Sequence, residues 1–108
     1  MTGTHKTLHT KLRLEIVIER PALRRAERLL QEAGVTGWTV TPAIAGFGNG
    51  TRWSRGTDIS TSTDMVVIMS IGDEDVFLPA LDKLHALVSR YVGVVNLGEV
   101  KVLRDGNF

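Results

Sequence analysis

The sequence contains no cysteine. Disulfides, thiol nucleophiles and cysteine-ligated zinc are therefore excluded together. It also lacks charge of one sign: 13 Lys and Arg stand against 12 Asp and Glu, for a net charge of +1. No global field draws such a chain to nucleic acid or an anionic membrane, so any anion site must be local. No apolar run approaches the ~18 residues that a membrane-spanning helix needs. The opening stretch MTGTHKTLHTK is polar and has no apolar centre of the kind a secretory signal carries. The expectation is a cytoplasmic protein without a membrane span. Its 108 residues, 43% of them hydrophobic, fit a single domain over 1–108.

Residues 1–10 read as a flexible leader. In KLRLEIVIE, Leu12, Leu14, Ile16 and Ile18 alternate with Arg13, Glu15, Val17 and Glu19, the period of a half-buried strand. RPALRRAERLLQEAG predicts a helix, with Pro21 in its first turn and Gly34 as its cap. Leu23, Ala26, Leu30 and Ala33 share one face of it. Arg24, Arg25 and Arg28 form a solvated face balanced by Glu27 and Glu32. GWTVTP is a second strand that Pro42 ends or pushes to an edge. TDMVVIMSI is a third strand, apolar on both faces, and one layer of helices covers only one of them. The uncovered face argues for an oligomer. GDEDVFLPALDKLHALVSRYVG predicts a second helix, with Asp73, Glu74 and Asp75 as helix-start charges and Pro79 in its first turns. VVNLGEVKVL is a fourth strand with a potential break at Gly98. The fold class that follows is α+β, a ferredoxin-like βαββαβ plan with a long loop between strands two and three.

That loop, AIAGFGNGTRWSRGTDIST over 43–61, reads as neither helix nor strand. Gly46-Phe47-Gly48-Asn49-Gly50 can let backbone N–H groups approach an anion. Arg52 and Arg55 add fork-shaped donors suited to phosphate or carboxylate. Asn49 could hold an anion or supply a left-handed turn, and Trp53 could stack on a base or anchor a partner. The stretch is not a P-loop, and it does not open a helix as a dinucleotide fingerprint does. His5 and His9 are spaced i, i+4 but lie in a leader with no helical pattern, His85 sits on the second helix, and no pair of carboxylates marks an acid–base site. Neither a metal nor a catalytic residue is expected.

The residues leading into the loop resemble PII signalling proteins where those enter their T-loop. The resembling run is Gly34-Val35-Thr36-Gly37-Trp38-Thr39-Val40-Thr41, followed by Gly46-Phe47-Gly48. The T-loop equivalent would span 43–63. The chain departs from the family pattern in having no loop tyrosine, one extra residue before Gly46, and no glycine-lysine B-loop before the last strand. The short loop and the lead-in Tyr91-Val92-Gly93-Val94-Val95 resemble the inorganic-carbon branch, the carboxysome-associated PII (CPII) and SbtB groups.

The resemblance implies a homotrimeric, non-enzymatic sensor. It would bind an adenine nucleotide, ADP or AMP, together with bicarbonate at intersubunit clefts. Its loop would control a protein partner, a transporter or carboxysome component, in the cytoplasm or in association with carboxysomes. Carried over by position, Gly37, Thr39, Gly46, Phe47, Gly48 and Arg104 would bind nucleotide. Lys101 could join Arg104 only with a register shift. Asn49, Gly50, Arg52 and Arg55 are the candidates for phosphate or bicarbonate. The alternatives are an acylphosphatase-like hydrolase, which would need Asn49 and Arg52 around a phosphate, and a metal-tolerance-type trimer. An RNA-binding module ranks last, because strands one and three carry no aromatic residues for stacking.

Overall fold

β1 (His9–Glu19) lies inside a four-stranded antiparallel sheet of order β2-β5-β1-β6. The computed structural model describes residues 7–48, 50–54 and 64–106. The other strands of this sheet are β2 (Thr39–Pro42), β5 (Met65–Gly72) and β6 (Gly93–Val102). β1 pairs with β5 through Ile16↔Ile68 and with β6 through Ile16↔Val95. Two helices, α1 (Leu23–Glu32) and α3 (Leu81–Val88), cover one face. The alternation in β1 does what its period requires. Leu14, Ile16 and Ile18 are buried against Ala26 and Leu30 of α1 and Leu84, Leu87 and Val88 of α3. Each such aliphatic side chain contributes about 1.5–3 kcal/mol by leaving water.

The leader is shorter than the sequence suggests, since His9 and Thr10 already pair with Val102 and Lys101. β6 runs unbroken through Gly98, which stays in register opposite Arg13. The second helix is interrupted. α2 (Glu74–Phe77) gives way to a 3₁₀ turn at Leu78–Ala80 before α3 begins. Pro79 has no N–H to donate and crowds the preceding turn, so a tighter turn takes its place.

α1 ends in a paired-bond cap. Gly34 N–H donates to the carbonyl of Gln31 and Val35 N–H to that of Leu30, with Gly34 at φ 92°. This is a Schellman arrangement, and Val35 completes it by packing into the core. A side chain at Gly34 meets no neighbour, so its cost is the left-handed backbone alone. Gly34→Ala should lose about 1 kcal/mol, seen as a lower urea midpoint with an unchanged slope.

The loop contains structure that its composition hides. β3 (Ala45–Gly48) and β4 (Thr51–Ser54) pair as a separate two-stranded ribbon. The Gly48↔Thr51 pairing leaves two residues between the strands, Asn-Gly in the sequence. Asn-Gly is the strongest short hairpin signal, and Gly50 has the positive φ, 76°, that such a turn uses. Residues 55–63 of the expected T-loop lie outside the described residues.

The sheet face away from the helices carries Val67, Met69 and Ile71 of β5 beside Arg13, Glu15 and Val17 of β1. These side chains are half-buried, in contrast to Val66, Ile68 and Ser70 on the covered side. The expectation of two apolar faces on this strand thus holds, with helices over only one.

Candidate nucleotide site

The cap at Gly34 turns the chain out of α1 and into β2, an edge strand. On the way it passes Gly37, Trp38 and Thr39. Two side-chain hydrogen bonds fix this passage. Ser70 Oγ, 2% exposed, donates to the carbonyl oxygen of Gly37 at 2.6 Å. Trp38 Nε1 donates to Glu27 Oε2 at 2.9 Å. A depression of about 320 Å³ lies here, lined by Gly37, Trp38, Thr39, Met69, Ser70 and Ile71. Buried polar groups must be hydrogen-bonded, so Ser70 holds the Gly37 backbone to β5. A floor of glycine and threonine with apolar walls suits a planar heterocycle better than a bare anion.

Ser70 escaped the sequence reading. Its signal was present, a hydroxyl at the core-facing position after Val66 and Ile68 in an otherwise apolar strand.

Gly37 and Thr39 therefore line one depression. The other nucleotide candidates lie elsewhere in the chain. Gly46, Phe47 and Gly48 stand on β3, and Phe47 is 75% exposed. Arg104 is exposed just beyond β6, on the opposite edge of the sheet from β2. Three strand spacings separate these edges, about 14 Å. Within one chain Gly37 and Arg104 thus lie at opposite edges of the sheet.

The anion candidates are less defined. Gly50 occupies the ribbon turn, where its positive φ already accounts for a glycine. Arg52 stands on β4 opposite Phe47. Asn49 and Arg55 lie outside the described residues. Among the described residues, no group of three or more His, Asp or Glu side chains could hold a metal ion.

The segment carrying Arg104 is tied down. Lys11 Nζ lies 2.6 Å from Asp105 Oδ1 and 2.6 Å from Asp73 Oδ1, linking β1, the chain past β6 and the lead-in to α2. Lys101 is engaged with its neighbour, its Nζ donating to Thr10 Oγ1. The hydrogen bond from Lys11 holds the Asp105 carboxyl below its ordinary value of 3.8. The hydrogen bonds to Asp105, first, and to Asp73 hold the Lys11 ammonium above 10.5.

The signs are opposite for acid and base. The Asp105 contribution is complete above 3.8 and lost as pH falls through its lowered value. The Lys11 contribution is complete below 10.5 and lost as pH rises through its raised value. The clamp beside Arg104 should hold across the neutral range and open at the acid and alkaline extremes. An NMR titration of the Asp105 carboxyl should give a midpoint below 3.8, and Lys11→Met should raise it.

The features so far define a class: a ferredoxin-like α+β domain with a long insertion between its second and third sheet strands. The profile of the family described as nitrogen regulatory protein P-II matches residues 11–107. The chain belongs to that family, whose members are signalling proteins rather than enzymes. Its fold is similar to that of CPII from Thiomonas intermedia K12, a nitrogen regulatory PII-like protein bound to ADP, AMP and bicarbonate. The TM-score is 0.79 and the identity 25%, over 90% of this chain and 92% of that one. The same protein bound to ADP and bicarbonate matches at TM-score 0.77 and 25% identity, with the same coverage. A putative PII-like signalling protein of Thermus thermophilus shares the fold at TM-score 0.72 and 24% identity, over 89% of this chain and 92% of that one. No curated protein sequence matches the chain. Among the described residues, no helix is long and apolar enough to cross a membrane.

Proposed function

We propose that this PII-like regulatory protein binds ADP or AMP, with bicarbonate as second ligand, in clefts between the subunits of a homotrimer. The observation that carries the proposal is the split site: Gly37 and Thr39 lie on one sheet edge and Arg104 on the other. In a cyclic trimer each contact is heterologous, joining two different patches, and the β2 edge of one copy facing the β6 edge of the next would form three equivalent sites around the ring. The half-buried apolar face of β5 supports burial against further copies. The ligands of CPII, at TM-score 0.79, support the choice of ligands.

In this reading Gly37, Trp38 and Thr39 hold the base and Arg104 of the neighbouring copy holds a phosphate. Gly46 to Gly48 follow the ligand outward, and Asn49, Gly50, Arg52 and Arg55 close on the phosphate or bicarbonate. Occupancy then shifts the loop between arrangements that a protein partner in inorganic-carbon metabolism distinguishes.

Calorimetry with ADP and AMP, each with and without bicarbonate, tests this directly. Tighter nucleotide binding in bicarbonate is expected, since coupled sites strengthen one another reciprocally. Nucleotide binding that ignores bicarbonate would remove the inorganic-carbon branch. No nucleotide binding would remove the sensor reading altogether.

A further inference from the structure

On the outer side of the helix layer, away from the sheet, α1 and α3 leave a groove of about 340 Å³ between them. Arg25 and Arg28 line it from α1, and Lys83 and Arg90 from α3 and its end, over a floor that includes Leu29 and Leu87. The sequence suggested that Glu27 and Glu32 balance this face, and of the two only Glu32 is left beside it. Glu27 accepts a hydrogen bond from Trp38 Nε1 instead. Among the described residues none of the four cations forms an ion pair. Arg25 donates to Tyr91 Oη at 2.8 Å, which fixes its guanidinium without cancelling its charge. The acidic groups that face this region are Glu32, which shares an adjoining hollow with Lys83, and Asp82, next to Lys83 in sequence.

We propose that this groove docks an acidic, leucine-bearing helical segment of a partner protein. Four cations on a chain of net charge +1 make a local field rather than a global one, which suits steering of one partner surface. The apolar floor distinguishes the site from a simple anion cradle, because it rewards apolar side chains placed between the acidic ones. Leu87 is 7% exposed in the floor of the groove. No aromatic residue lines the groove to stack a base, which disfavours single-stranded nucleic acid. The proposal does not rest on the nucleotide site, which lies at the sheet edges.

The probe is a fluorescein-labelled peptide of about 14 residues with leucines at helical i, i+4 spacing and glutamates between them. Fluorescence anisotropy should show saturable binding to the full chain that weakens steeply with salt. Arg28→Glu with Arg90→Glu should weaken it about tenfold or more. The milder pair Arg28→Gln with Arg90→Gln should weaken it less, and both should leave ADP calorimetry unchanged. A lysine–leucine peptide should not bind the parent, and its affinity should rise in the charge-reversed variant.

Three results would overturn the proposal. One is peptide affinity unaffected by charge reversal, or no saturable binding up to about 100 µM. Another is equal binding of a leucine-free glutamate peptide, which would leave charge alone. The third is tighter, Arg28- and Arg90-dependent binding of a single-stranded DNA oligomer or of phosphatidylserine vesicles.

Discussion

Arg104→Ala is expected to weaken ADP binding by roughly 10- to 100-fold, since a hydrogen bond to a charged group contributes about 1.5–3 kcal/mol. The guanidinium is exposed and the segment bearing it is held by the clamp from Lys11 to Asp105, so the fold does not depend on the side chain. The urea midpoint should stay where it is. Lys101→Ala is the matched comparison. Its amine already bonds Thr10, so removing it should leave nucleotide affinity nearly unchanged. Equal losses for the two variants in calorimetry would mean a diffuse basic edge rather than a placed arginine.

Gly93→Ala should be strongly destabilising for a single added methyl. A Cβ at that position would lie 2.6 Å from the carbonyl oxygen of Val17 and 3.3 Å from Ile18 Cα. The obstacle is backbone in the neighbouring strand, so no rotamer change relieves it, and β6 must separate from β1. Overpacking of this kind costs about 1–3 kcal/mol, a large share of the roughly 5–15 kcal/mol that holds a domain together. Gly98 lies on the same strand with open space around its Cβ position. Gly98→Ala should be neutral or slightly stabilising, because it restricts the unfolded chain without a clash. Urea melts of the two variants side by side check the contrast. A Gly93→Ala melt matching the parent would mean that the strands can shift apart at no cost.

The strands and first helix were legible because burial on one side imposes a period. Leu14, Ile16 and Ile18 could not all be buried in any other local structure, and Gly34 could not cap α1 without its positive φ. Pro79 was legible as a difficulty, but not as the 3₁₀ turn that resolves it. That outcome depends on how Phe77 and Leu84 both reach the core. The ribbon in the loop was missed because glycines and hydroxyls dilute any period. The Asn-Gly pair at 49–50 was the available signal, a left-handed turn being one of the two roles open to Asn49.

The site divided the same way. Gly37 and Thr39 came from a resemblance over a few residues and do line one depression. Ser70 and Lys11 act by bonding residues far away in sequence, which no spacing reveals. That Arg104 and Gly37 occupy opposite edges follows from the strand order alone.

The central claim, a nucleotide site completed by a neighbouring copy, is tested most directly by mixing two defective chains. Gly37→Val fills the depression on one edge, and Arg104→Ala removes the guanidinium on the other. Each variant alone should bind ADP poorly. Co-refolded at equal amounts into mixed trimers, about a quarter of the sites should join an intact β2 edge to an intact Arg104 and regain parental affinity. Calorimetry reads that fraction as stoichiometry. A mixture that binds no better than its two components would contradict the shared site.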